Sequence, residues 1–106
     1  VMSMGILTQF VNTADRTMLR DMKVEAKMSE TGENFTVEVF DAQTDEPLDG
    51  ATIKVDYPGG TLARTLGSDS NSHTFDDPTG FDTVIANLRV THHGYIPWEG
   101  QFVLYD

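Results

Sequence analysis

Residues 35–57 read FTVEVFDAQTDEPLDGATIKVDY, and the two ends of that stretch decide the fold. Phe35, Val37 and Val39 alternate with Thr36 and Glu38. Ala51, Ile53, Val55 and Tyr57 repeat the same period of two. A period of two puts every second side chain on one face of an extended segment, whereas a helix would need a period near 3.6. The stretch therefore predicts two half-buried strands joined by the loop 41–50. Each loop residue has a local use. Asp41 and Thr44 can accept hydrogen bonds from nearby backbone where the first strand ends. Pro47 fixes φ in the turn, and Leu48 can close the end of a core. Gly50 permits a positive φ as the chain re-enters the sheet, and Ala51 suits a crowded first position.

The same alternation extends outward in both directions. Met22, Val24, Ala26 and Met28 alternate with Lys23, Glu25, Lys27 and Ser29, and Thr31-Gly32-Glu33-Asn34 is a turn. Pro58-Gly59-Gly60 stops the strand that ends at Tyr57, and a short strand is expected from Thr61 to Leu66. Residues 67–82 are rich in Gly, Ser, Asp and Asn and read as one long loop. Val84, Ala86, Leu88 and Val90 form the clearest alternating run, His92-His93-Gly94 turns, and Phe102 and Leu104 share a face of the last strand. About 6–7 short strands separated by turns predict an all-β, antiparallel β-sandwich.

Asp41, Thr44, Pro47, Leu48, Gly50, Ala51, Ile53 and Val55 fit a pattern in which a strand leads through D-x-x-T-x-x-P-L-x-G-A into an alternating strand. Thr79-Gly80-Phe81 and His93-Gly94-Tyr95 fit two further signatures of the same group. Residues 35–104 thus resemble the carboxypeptidase regulatory-like, or transthyretin-like, β-sandwich domains. The resemblance implies an Ig-like or prealbumin-like sandwich and a non-catalytic role as an appended folding unit, adhesion part or spacer. It carries over no catalytic residue. One departure stands out: the family usually has an extra hairpin turn between the two later signatures, where this chain has a single strand.

The first 33 residues lie outside that resemblance. Met4, Leu7, Val11, Ala14 and Met18 recur at three- to four-residue spacing, widened by Phe10 and Leu19, as on an amphipathic helix. Residues 1–20 are therefore expected to form an N-terminal arm or short helix ahead of a sandwich domain spanning 21–106. Flexible methionines suit contact with another chain. Met4, Leu7, Phe10, Val11 and Met18 are the expected protein interface.

The 106 residues carry a net charge of −10, from 17 acidic and 7 basic side chains. The charge is spread, −6 over residues 1–53 and −4 over 54–106. Nucleic-acid partners need Lys and Arg to neutralise phosphates, so this balance argues against them and against anionic membranes. An Asp-rich, Lys-poor surface suits high salt. No run reaches the 18–20 apolar residues of a membrane span, and the absence of cysteine excludes disulfides, thiol nucleophiles and Cys-type zinc sites.

Three groups of side chains could carry chemistry. His73, His92 and His93 would form a metal site only if His73 met one of the other two. Asp69, Asn71, Asp76 and Asp77, with Asp82 nearby, are candidate calcium ligands, because calcium prefers oxygen-rich loops. They do not form a helix-loop-helix calcium motif, since Thr74 and Gly80 stand where Gly and a carboxylate are needed. Tyr95 and Trp98 either cap the core or form an exposed platform for a sugar or protein. Asn34-Phe35-Thr36 is a glycosylation sequon. No nucleophile elbow or phosphate-cradling Gly loop occurs. The expected function is a non-enzymatic structural or interaction module without a cofactor, attached through its N-terminal segment. Its setting would be a cell surface or virion, in salt-loving surroundings, and its partners other protein chains, second copies included. The alternative is a carbohydrate- or calcium-binding accessory domain.

Overall fold

The computed structural model describes residues 7–9, 19–77 and 84–104. Among these there are eight strands and no helix: β1 (Leu7–Gln9), β2 (Met22–Met28), β3 (Asn34–Asp41), β4 (Thr52–Tyr57), β5 (Gly60–Thr65), β6 (Ser72–Asp76), β7 (Val84–Thr91) and β8 (Trp98–Leu104). They make two antiparallel sheets, of order β1-β8-β7-β4-β5 and β2-β3-β6, packed face to face as a β-sandwich.

The alternating residues behave as their parity demands. Phe35, Val37 and Val39 of β3, Ile53 and Val55 of β4, and Ala86, Leu88 and Val90 of β7 are all at most 2% exposed. Their neighbours in sequence point to solvent. Trp98, Gly100, Phe102 and Leu104 line the inner face of β8 in the same way. Met28, Phe35 and Phe75 stand side by side across β2, β3 and β6. Phe35 stacks on Phe75 and meets Phe102 of the opposite sheet, with ring centroids 5.3 Å and 5.7 Å apart.

Two strands depart from the expectation. Ser72–Asp76, read as loop, is β6, paired along the outside of β3 from Asn34↔Asp76 to Glu38↔Ser72. Only Phe75 of its five residues is buried, so its side chains are nearly those of a loop and the backbone ladder makes it a strand. Leu7–Gln9, expected within an amphipathic arm or helix, is extended and pairs with Phe102–Gly100 of β8. The open edge of β8 offers backbone groups that a helix would leave unpaired. Met4, Phe10, Val11 and Met18 lie outside the described residues.

The loop 41–50 follows its sequence closely. Asp41 Oδ1 accepts from the backbone N–H of Gln43 at 2.8 Å and of Thr44 at 3.1 Å. Thr44 Oγ1 accepts from Glu46 N–H at 3.3 Å. Ala51 is fully buried, and Gly50 has φ +80°. A Cβ on Gly50 would meet nothing closer than His92 Nε2 at 4.0 Å, so its cost is conformational rather than steric. Gly50→Ala is therefore expected to destabilise the protein by about 1–2 kcal/mol in urea unfolding. Gly50→Asn should recover part of that, because Asn tolerates the left-handed region better.

Candidate functional site

Asp41 ends β3, and its side chain is 8% exposed. Oδ1 holds the turn through the Gln43 and Thr44 amides. Oδ2 accepts the Tyr95 hydroxyl at 2.6 Å and pairs with the Arg20 guanidinium at 2.9 Å. Arg20 is itself fixed by backbone: its N–H donates to the Gly94 carbonyl at 3.2 Å, and its carbonyl accepts from Ile96 N–H at 2.9 Å. One carboxylate thus ties the start of β2, the β3–β4 loop and the β7–β8 turn together. The Tyr95 hydrogen bond, helped by the Gln43 and Thr44 amides and by Arg20, outweighs burial and holds the Asp41 carboxyl down to about 2. The same bond, with burial, pushes the Tyr95 phenol up.

His92 fastens the same two loops a second time. Its Nε2 lies 2.8 Å from the Asp49 carbonyl oxygen and its Nδ1 2.7 Å from that of His93. Its ring meets Tyr95 edge-on at 5.2 Å. Both partners are carbonyl acceptors, so a neutral His92 ring donates its single N–H to one of them and lies against the other. His73 is on β6, against Phe75, with its pKa lowered by burial and by Arg64. Among the described residues no three His, Asp or Glu side chains converge as metal ligands.

The candidate calcium residues are drawn apart by β6. Asn71 precedes the strand and Asp76 ends it, so they lie on the order of 16 Å apart along extended backbone and cannot share an ion. Asn71 instead prolongs the β3–β6 pairing. Its Nδ2 donates to the Val39 carbonyl at 3.1 Å, and its own carbonyl accepts from Val39 N–H at 2.9 Å. Asp69 is exposed in the β5–β6 turn, and Asp77 donates its backbone N–H to the Glu33 carbonyl at 2.9 Å. Asp82 is outside the described residues.

Of the two readings of Tyr95 and Trp98, core cap or exposed platform, the structure shows the core cap. Trp98 is 4% exposed within the core, and Tyr95 is half-buried with its hydroxyl engaged by Asp41. Trp98 shares its inward parity with Phe102 and Leu104, and the alternation of β8 itself carried that signal. In the sequon, Asn34 is half-buried and the Thr36 hydroxyl is bonded to that of Thr74 at 2.8 Å.

A feature that sequence reasoning missed is the outer face of the five-stranded sheet. The strand registers align Gln101, Asn87, Asp56 and Thr61 in one row, Glu99, Arg89, Lys54 and Ala63 in the next, and Thr91, Thr52 and Thr65 in a third. Thr61 Oγ1 donates to Asp56 Oδ1 at 2.6 Å, the Thr52 and Thr65 hydroxyls are bonded at 3.2 Å, and Arg89 pairs with Glu99. The charges of these rows cancel: Lys54 and Arg89 against Asp56 and Glu99. Ile85, 54% exposed beside Val103, adds an apolar corner. On a chain of net charge −10, this is a broad neutral surface. The pattern was legible only once register was known, because the rows collect residues from four strands.

Among the described residues, no helix is long and apolar enough to cross a membrane. Comparison with family models, curated proteins and solved structures gave no match.

Proposed function

We propose that this chain is a non-enzymatic structural module of a larger assembly, a cell-surface or virion component. It would be joined to neighbouring chains through its N-terminal segment, with the outer face of the five-stranded sheet lying against them. The observation that carries this reading is the charge balance of that face. Two copies of a protein with 17 acidic and 7 basic side chains repel each other over most approaches. A flat surface where Lys54 and Arg89 offset Asp56 and Glu99 is where contact costs least, and its exposed Ile85 has apolar area to bury. β1 forms the edge of the same sheet, so the N-terminal segment and this face are contiguous. The likeness of residues 41–51 to non-catalytic sandwich modules supports the same reading.

Sedimentation of the full chain and of a chain lacking residues 1–18 tests it. This truncation leaves Arg20 and its bond to Asp41 in place. The full chain should sediment as an assembly and the shortened one as a monomer. Monomers in both samples would overturn the proposal.

The setting can be tested separately. Excess negative charge is screened over about 10 Å at 0.1 M salt and over less than about 3 Å above 1 M. The melting temperature should therefore be higher in 2–3 M KCl than in 0.1 M, on the order of several degrees for each kcal/mol of repulsion relieved. A lower melting temperature in concentrated salt would remove the halophilic reading.

A further inference from the structure

An antiparallel pair points the backbone groups of alternate residues at the partner strand and those of the residues between them away from it. Val39 N–H donates to the Asn71 carbonyl and Asp77 N–H to the Glu33 carbonyl, each at 2.9 Å. The register between these bonds turns His73 and Phe75 toward β3 as well, and Ser72, Thr74 and Asp76 toward the other side of β6. The Ser72 carbonyl takes the Ser70 hydroxyl at 3.1 Å. The remaining N–H and C=O groups of the three meet no further strand among the described residues. Natural edge strands are commonly guarded by lysine or proline. β2, the other edge of this sheet, carries Lys23 and Lys27, whereas β6 reads Ser-His-Thr-Phe-Asp.

Beside that edge the facing sheet overhangs. The three-stranded sheet covers β8, β7 and β4, where Leu104, Leu88, Ile53 and Val55 are at most 2% exposed. It stops short of β5. Leu62 stands opposite Val55 and Arg64 opposite Ile53, so both face inward, yet Leu62 is half-buried and Arg64 exposed. Among the described residues no carboxylate pairs with Arg64. Its charged neighbour across the gap is His73, whose pKa is lowered by burial and by Arg64. Edge and overhang make a step one strand wide. We infer that this step receives an extended segment of another protein chain, which adds a strand to β6, lays an apolar side chain on Leu62 and sets a carboxylate against Arg64.

The backbone of β6 supplies the pairing, and pockets for alternate side chains supply the selectivity, as in other recognition by strand addition. Charge selects the occupant: Arg64 is a lone exposed cation on the inner face of a chain with 17 acidic and 7 basic side chains. A second folded copy does not fit, because pairing two β6 edges would drive each overhanging β5 into β4 of the other copy. The inference rests on the module reading above only for the source of the strand, a neighbouring chain.

The probe is the blocked peptide Thr-Glu-Thr-Val-Thr-Glu-Thr, which presents Glu and Val on one face in either strand direction. Its control is Thr-Lys-Thr-Val-Thr-Lys-Thr. Amide spectra of the full chain are followed during titration with each. The glutamate peptide should shift the Ser72, Thr74 and Asp76 amides, slow their hydrogen exchange and leave β2 unchanged. It should bind about fivefold tighter than the lysine peptide, the worth of one exposed ion pair. General attraction to a chain of net charge −10 would favour lysine instead, so the preference reports Arg64. Arg64→Gln should abolish the preference. Thr74→Pro, which removes an outward N–H, should abolish the shifts, and Arg64→Gln carries the test where that variant does not fold. Silence at the three amides, an equal or reversed preference, or slow exchange of these amides in the free chain would overturn the inference. If deletion of residues 1–18 dissolves an assembly while no peptide binds, the module reading stands and the strand site falls. Peptide binding by a chain that is monomeric with and without residues 1–18 supports the strand site and removes the module reading.

Discussion

Phe35→Ala lowers the melting temperature by roughly 15–30 °C, from a loss of about 3–5 kcal/mol. The side chain is 1% exposed at the centre of the row Met28–Phe35–Phe75 and reaches Phe102 in the facing sheet. Its removal opens a cavity between the sheets that neither can close without shifting three strands, and partial relaxation is what makes such truncations costly. For a small domain this is a large share of total stability. Phe40, five residues further along the same strand, is the control. It has the opposite parity, is half-buried, and lies under the Lys23 ammonium, 4.8 Å from its ring centroid. Phe40→Ala should cost on the order of 1 kcal/mol. Thermal unfolding of both variants checks the pair. A reversed order would mean that β3 is displaced by one residue, since a one-residue slip turns every side chain to the other face.

That contrast also shows which parts of the molecule a sequence exposes. β3, β4 and β7 each carry their own instructions, because alternation over six to eight residues fixes both the strand and its buried face. The loop 41–50 is equally local: Asp41, Thr44 and Gly50 act within a few residues of themselves. β6 is different. Ser72, Thr74 and Asp76 are polar because they face out from an edge strand, and what makes the segment a strand is the backbone of β3. β1 is hidden further still. The spacing of Met4, Leu7, Val11 and Met18 fits a helix, and only the open edge of β8 turns Leu7–Gln9 into a strand. The same limit applies to the site. The grip of Asp41 on its own turn was readable, whereas its bonds to Arg20 and to Tyr95, 54 residues away, depend on the assembled sandwich. The neutral face needs four strands in register before it exists at all.

The Asp41–Tyr95 bond should come undone at both ends of the pH scale. Asp41 titrates near 2 in the folded protein and near 3.8 when free. As pH falls, the unfolded chain takes up this proton first, so the stabilisation is full above about pH 4 and is lost between 3.8 and 2. Tyr95 is raised above its ordinary 10.0, mainly by the same bond. Its contribution is full below pH 10.0 and disappears as pH rises through the raised value. Lys23, raised above 10.5 chiefly by Asp45, acts in the same alkaline direction. His73 acts on the acid side: burial lowers it from 6.5, so the unfolded state binds its proton first and stability begins to fall as pH drops below 6.5. A stability plateau between about pH 6.5 and 10 follows from these directions. Tyr95→Phe should cost about 1–2 kcal/mol on that plateau, the value of a hydrogen bond to a charged acceptor. It should also flatten the alkaline limb and make the acid step shallower, because Tyr95 is the largest influence on Asp41. Asp41→Asn should cost more, since it removes the counter-charge of Arg20 and weakens the hold on two backbone amides as well. The decisive quantity is the difference in unfolding free energy between wild type and Asp41→Asn, measured by urea titration across the acid range. It should be constant down to about pH 4 and shrink toward pH 2. A difference that stays constant through that window would show that Asp41 is protonated at the same pH folded and unfolded, and that the carboxylate does not fasten the three segments together.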